Sequence, residues 1–546
     1  MYRQTIDPVF GSLAWSALLA LVPIAALFVF LGVFRTKAWV ASWGSLAVAA
    51  LVAVLGYGMP TGQAVLAAGQ GAAFGLFPLA WTLVAAIWIH SMTVHSGHFD
   101  VLCHSFAAVS KDQRIQAIII AFCFGSLLEG LAGQGTPVAI TTVMLVGGGF
   151  RPMRAAAVAL VANTVPAAFG PLGLPITTLA KVSDLPMADL GAMAGRQVPI
   201  IAVFVPLLVV GIADGRRGVR QTWFPALACG VSYGLTQFVT SNYISVPLAD
   251  ISSALVSACV VTVVVRAQHV RRSPAPAPSV IAHPDTPQAS ASPLPVTSGV
   301  RTEVWRAYAP YLAIVSIFVF SQWKPVADAL NSATVTFPWP GLHLLTSGGE
   351  PSTLPMFKFN WLAATGTLLL ISGLATMVVL HIPPRVAVTA LAETLGRLRG
   401  PITTISGLLA LSFVMNASGQ TMVLGTWLAG TGGAFVVISP ILGWLGVALT
   451  GSDTSSNALF GALQVTAADK AGLPATLLTA ANASGGVVGK MISLQNLTIA
   501  AAATGMHGAE GDLFRRMFRW SVLLLAGMCL IVFLQTTRVL GWMTVH

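Results

Sequence analysis

The run "LAWSALLALVPIAALFVFLGVF" opens at residue 13, and stretches of the same kind recur to the end of the chain. They fall at 13–34, 39–56, 74–91, 115–130, 155–170, 198–213, 224–240, 251–265, 311–323, 361–380, 402–415, 434–449 and 520–540. A helix needs ~20 predominantly apolar residues to cross the hydrocarbon of a bilayer. Inside that medium no water satisfies the backbone, so a spanning segment must bond its own N–H and C=O groups. Only 8% of the 546 residues are charged and 55% are hydrophobic, where a soluble chain carries about a quarter charged residues. The mean hydropathy is +0.81. The expectation is an all-α polytopic membrane protein of about 12–14 transmembrane helices, with Gly-rich pieces blurring the boundaries. The first run is too long, and too weakly flanked by a small-residue cleavage site, to read as a cleaved signal peptide.

The formal net charge of +11 does not gather into a nucleic-acid patch. Basic residues instead punctuate the apolar runs: Arg35 and Lys37; Lys111 and Arg114; Arg216, Arg217 and Arg220; Arg266, Arg271 and Arg272; Arg385, Arg397 and Arg399; Arg515, Arg516 and Arg519. That is positive-inside bias, which places these loops on the cytoplasmic side and makes the lipid bilayer, not nucleic acid, the surrounding partner. The five cysteines (103, 123, 229, 259 and 529) lack metal-ligand spacing and read as packing residues. His90, His95, His98 and His104 are irregularly spaced near a cytoplasmic span end, where interfacial histidines are the ordinary case. No metalloprotease or nucleophile-elbow signature occurs, so neither an enzyme nor a metal or other cofactor is expected.

Composition changes once, in "RRSPAPAPSVIAHPDTPQASASPLPVTSG". Rich in Pro, Ala and Ser, this stretch reads as a flexible cytoplasmic linker at 267–300. It separates a transmembrane half at 1–266 from one at 301–546, the latter carrying a polar outer-face loop at 332–357. The halves echo one another. "LLEGLAGQGTPVAI" precedes "ALVANTVPAAFG", and "LTGSDTSSNALF" precedes "TAANASGGVVG". Thr136 to Asn163 and Ser455 to Asn482 are both 27 positions. Interrupted segments at matching places in two halves point to a transporter binding site, here with hairpins near 127–149 and 449–470.

Three charged residues stand out. Glu129 ends "IIIAFCFGSLLEG" beside a glycine cluster, and Asp453 follows the run that ends at residue 449. A charge in hydrocarbon costs a few kcal/mol even on lenient scales, so it persists only beside a polar cavity or a partner. Each alone also reads as a loop residue just outside the bilayer. Lys490, in "GGVVGKMISLQN", resembles a phosphate loop but fails its pattern, with Ser484 and Met491 in place of the required Gly and Ser/Thr. It either neutralises a carboxylate, meets an anionic substrate, or snorkels to the interface.

"FCFGSLLEGLAGQGTPVAIT", "LTGSDTSSNALFGALQ" and "AANASGGVVGKMIS" are similar to signature segments of the bacterial lactate permease family, which includes glycolate permeases. The resemblance extends through "GHFDVL", "RPMRAAAVALVANTVPAAFG" and "MNASGQTMVLGTWLAGTG", nearly the whole chain apart from the linker. It implies two inverted repeats with re-entrant or broken helical hairpins. It also implies multi-pass residence in a bacterial inner membrane and proton-coupled symport of L-lactate, D-lactate or glycolate. Three positions depart from the family pattern: Gln134 and Ala417 replace aromatics and Leu494 replaces a proline.

A small 2-hydroxy monocarboxylate needs an anion-friendly corner, which helix half-ends provide. It also needs hydrogen bonds, for which Thr136, Asn163, Ser452, Thr454, Ser455, Ser456, Asn457 and Asn482 are the candidates, with Lys490 for the anion. The coupling proton needs a buried carboxylate, Glu129 first and Asp453 second. Sodium coupling through hydroxyls and carbonyls near Thr136 and Thr454 is the alternative within transport. A lactate sensor or channel is the alternative outside it, disfavoured because no soluble signalling domain is visible.

Overall fold

The computed structural model describes residues 1–110, 112–133, 135–271, 300–506 and 509–545. Lys111, Gln134 and most of the expected linker (272–299) lie outside the described residues. The described chain is helical almost throughout, and ten helices are long and apolar enough to cross a membrane. Four shorter apolar helices accompany them, at Thr136–Gly147, Pro152–Ala162, Trp305–Ser321 and Thr365–Val379. The expected all-α polytopic architecture is what the protein has. Its few strands lie at one end. Tyr2–Arg3 pairs in parallel with Leu344–Leu345, and Val335–Pro338 pairs antiparallel with Met356–Phe359.

The apolar stretch Met187–Ile244 is two crossings in one. At Gly215 the backbone takes φ 67°, ψ −157°, a conformation open to glycine, and the chain reverses beside Arg216 and Arg217. The two limbs then close until Gly230 abuts the Val203 backbone and Gly234 lies on Pro199. These are the runs expected at 198–213 and 224–240. The run expected at 155–170 is different, because its helix stops at Ala162 and resumes only at Leu174.

That interruption belongs to a pattern that occurs twice. In the first half, Gln113–Leu131 enters, turns at Gly133 (φ 52°) and Gly135 (φ 81°), and returns as Thr136–Gly147. Pro152–Ala162 follows, then a buried irregular stretch at 163–173, then Leu174–Ser183. In the second half, Phe435–Thr450 turns at Gly451 (φ 77°) into Asp453–Ala471. Ala475–Gly489 follows, then a break at 490–493, then Leu494–Ala503. Non-helical backbone at membrane depth is tolerated where protein or a polar cavity surrounds it. The element order repeats, but the matched 27-residue spacing does not mark equivalent places. Asn163 caps a helix end, whereas Asn482 lies inside its helix.

The hairpins are rooted on opposite faces. The base of the first carries Arg114, Arg151 and Arg154, and Arg154 Nη1 donates to the Ala213 carbonyl near the arginine-bearing turn at 3.2 Å. The second arm of the other hairpin runs alongside Leu174–Ser183, with Asn457 at Pro175 and Gly461 on Leu179 and Val182. That half-helix leads to Asp184, whose carboxylate accepts from Thr353 of the 332–357 loop at 3.4 Å. The first hairpin therefore rises from the basic face and the second descends from the loop face.

Each hairpin packs on the broken helix of the other half. Asp453–Ala471 lies on Leu174–Ser183, and Thr136–Gly147 on Leu494–Ala503. Within the second half, Gly443 meets the Asn482 backbone and Gly485 meets the Pro440 backbone, leaving no room for a Cβ at either. Such small-residue seams let membrane helices approach closely where no hydrophobic drive joins them. The largest buried apolar cluster draws on both halves, from Ala85 to Val532.

Candidate functional site

A cavity of about 1230 Å³ lies where the two hairpin tips and the two breaks meet. Its lining includes Gly135, Leu174, Ser452, Asp453 and Leu494. These residues begin, or immediately precede, four helices: Thr136–Gly147, Leu174–Ser183, Asp453–Ala471 and Leu494–Ala503. Four N-terminal ends thus converge on one space. Each helix start carries unpaired N–H groups and the positive end of its dipole, so the arrangement favours an anion. At the opposite end the lining contains Arg35, Lys37 and Arg515, all exposed, so the cavity opens toward the basic face.

Two charges of opposite sign share its wall. Lys490 Nζ donates to Glu129 Oε1 at 2.5 Å, with the two side chains only 8% and 3% exposed. The pair joins the halves, Glu129 coming from the first hairpin and Lys490 from the second break. Lys490 caps the C-terminal end of Ala475–Gly489, where a cation complements the dipole. Glu129 stands in the last turn of its own helix, where the dipole disfavours a negative charge, so the carboxylate depends on Lys490 as its partner. Its second oxygen, Oε2, has no hydrogen bond among the described residues.

Asp453 also faces the cavity, in the first turn of its helix, and is 3% exposed. Ser452 caps that helix by accepting from the Ser455 N–H at 3.4 Å. Both Asp453 and Asp250 lie within electrostatic reach of Glu129 and Lys490. Asn457 is close to Asp453 but outside hydrogen-bonding geometry, and both Asp453 oxygens lack hydrogen-bond donors among the described residues.

The structure brings Glu129, Ser452, Asp453, Thr454, Ser455 and Lys490 to one cavity wall. It turns the other candidates elsewhere. Ser456 donates to the Gly443 carbonyl at 3.2 Å. Asn482 donates to Asn457 Oδ1 at 2.8 Å and accepts from Gln464 at 3.1 Å, while Asn457 donates to the Pro175 carbonyl at 3.1 Å. This fully buried network ties the second hairpin to both broken helices. Thr136 and Asn163 are not among the lining residues, although both polar atoms of the buried Asn163 amide lack partners.

Thr404, Gln495 and Thr498 also line the cavity and are not among the candidates that the sequence singles out. The last two follow Lys490 by five and eight positions, and the polar "SLQNLT" around them was the available signal. Of the described departures from the family pattern, Leu494 lies on the cavity, whereas Ala417 is buried in a separate apolar cluster with Tyr2 and Tyr57. The histidines near residue 95 do not converge. His95 pairs with Glu393 at 3.2 Å, and His104 bonds the Asp100 carbonyl of its own helix at 2.7 Å.

The chain is similar to several known proteins. The glycolate permease GlcA of Escherichia coli K12 is 43% identical over 540 residues, covering 96% of each chain. The L-lactate permease of the same strain is 39% identical over 557 residues, covering 100% of this chain and 99% of its own. That of Bacillus subtilis is 37% identical over 563 residues, covering 99% of each. Among solved structures, the YdaH transporter of Alcanivorax borkumensis aligns with a TM-score of 0.44 at 17% identity, over 86% of each chain. The bacterial relatives and the ten spans mark a multi-pass inner-membrane protein. The L-lactate permease family model matches residues 16–539, and the chain belongs to that family.

Proposed function

We propose that the protein is a secondary transporter that takes up lactate or glycolate together with a proton, without chemical change to the substrate. The observation that carries this reading is the buried Glu129–Lys490 pair in the wall of a cavity ringed by four helix starts. The cavity exceeds the ~300–1,000 Å³ of an ordinary small-molecule pocket, so most of it serves as a wet vestibule open to the basic, inner face. The binding corner is its floor, where Thr454, Ser455 and Gln495 supply hydrogen bonds for the 2-hydroxyl and helix N–H groups receive the carboxylate.

Coupling follows from charge balance in a poorly solvated place. An arriving carboxylate competes with Glu129 for the Lys490 ammonium. Deprived of its partner, Glu129 is costly to keep ionised and takes up a proton. One anion and one proton then occupy the site together, and the cluster's net charge is unchanged. Reversal of these steps releases both on the other side, and Asp453 acts as the secondary carboxylate.

The test is uptake by proteoliposomes offered labelled lactate, glycolate and larger carboxylates under an imposed pH gradient or an imposed sodium gradient. Accumulation of the two small hydroxy acids driven by the pH gradient, and abolished by a protonophore, is expected. Accumulation that follows sodium and ignores pH would overturn the proton reading.

A further inference from the structure

Packed against the arm that carries Glu129, and outside the cavity lining, lies a carboxylate that the transport reading does not use. Asp250 is 1% exposed and absent from the cavity lining. It stands two residues into Ala249–Arg271, whose far end carries Arg266 and Arg271, so Asp250 occupies the end toward the loop face. Its Oδ1 accepts two hydrogen bonds, from Tyr233 Oη at 3.1 Å and Gln237 Nε2 at 3.0 Å. Its Oδ2 accepts none among the described residues. Gly130, next to Glu129, packs so closely that a Cβ there would sit 3.3 Å from Asp250 Cβ.

An unpaired carboxylate so placed is expensive, and Asp250 has no cation at ion-pair distance among the described residues. With both donors on Oδ1 and none on Oδ2, a proton carried by this acid sits on Oδ2 and leaves Oδ1 as the carbonyl. Glu129 Oε2 and Ser126 Oγ, one helical turn apart, are likewise buried without hydrogen bonds. The ionisable groups around Asp250 are Tyr233 from Val205–Val239, with Cys123 near that phenol, Glu129 from the first hairpin, and Lys490 from the second break. The neighbouring turns Pro171–Gly173 and Val246–Leu248 contribute none.

We propose that Asp250 is a proton relay that supplies Glu129 from outside the cavity lining. The inference rests on Glu129 being the coupling carboxylate. When a substrate anion draws Lys490 away, the Asp250 Oδ2–H bond breaks and an O–H bond forms at Glu129 Oε2, directly or with the Ser126 hydroxyl passing one proton and receiving another. Asp250 is left as an anion held by the Tyr233 O–H and Gln237 N–H until water on the loop side returns a proton. In the uptake direction both therefore come from the loop side, the proton through Asp250 and the substrate in the state whose cavity faces that side.

The experiment compares Asp250→Asn, Asp250→Glu and Glu129→Gln in proteoliposomes, by pH-driven lactate accumulation and by lactate counterflow, which needs no net proton movement. Asp250→Asn is expected to lower accumulation on the order of 10²-fold while counterflow persists, and Asp250→Glu is expected to restore accumulation with a shifted pH profile. Wild-type accumulation in Asp250→Asn would overturn the relay. So would equal loss of both activities without rescue by Asp250→Glu, the result of a purely structural role. Intact accumulation in Glu129→Gln would instead overturn the coupling assignment itself, whatever Asp250→Asn does.

Discussion

The two hairpin-and-broken-helix units are built to one plan and charged differently. The first places its carboxylate, Glu129, on the arm before the tip, and its break at 163–173 carries no charged residue. The second places its carboxylate, Asp453, just past the tip, and its short break carries Lys490. Near the termini of helices these positions are not equivalent. Asp453 sits at a positive helix end that tolerates its charge, whereas Glu129 sits at a negative end and leans on Lys490 from the other unit. The repeated plan supplies four helix starts around the cavity, and the difference between the two units supplies the charge pair. In the proposed mechanism, coupling is therefore a property of the junction between halves rather than of either half.

The substitutions that probe this difference differ in expected size. Lys490→Ala strips Glu129 of its partner, which costs about 3–5 kcal/mol at a buried pair, and lactate uptake should fall by roughly 10²-fold or more. Adding Glu129→Gln should recover folded yield relative to Lys490→Ala alone, as gel filtration of the purified proteins would show; no recovery would mean that the two charges are not coupled. Glu129→Gln by itself should reduce pH-driven accumulation on the order of 10²-fold and spare counterflow. Asp453→Asn should do less, roughly tenfold or below, because its helix end already stabilises the carboxylate by up to ~2 kcal/mol without a cationic partner. If Asp453→Asn proves the more damaging, the assigned ranking of the two units is reversed. The smallest effect belongs to Leu494→Pro. Proline fits the first position of a helix but removes one N–H from the cavity, weakening lactate binding by about 1 kcal/mol or less in a titration of the purified protein.

Much of this was legible in the residues, for physical reasons. Charges are rare in this chain, so Glu129, Asp453 and Lys490 stood out, and glycines beside two of them marked the tips. The crossings at 198–213 and 224–240 were readable because Arg216 and Arg217 separate them. The broken helix at 155–170 reads as continuous in the sequence because alanine, valine and proline keep its apolar profile through the interruption. Asn457 and Asn482 were visible as polar groups, but spacing alone does not say whether an amide faces a cavity or another amide. Asp250 went unseen since an acid just before an apolar run looks like an ordinary span end. Only its fold neighbours, Tyr233, Gln237 and Gly130, show it to be enclosed.

The central claim is that substrate and Glu129 compete for Lys490, so that each anion enters with one proton. Proteoliposomes containing a trapped pH dye measure this directly when lactate is added outside and label and pH are followed together. Wild-type protein is predicted to acidify the lumen in step with lactate entry, and Glu129→Gln to exchange lactate with no pH change. Lumenal acidification that keeps pace with lactate in the Glu129→Gln protein would contradict the account.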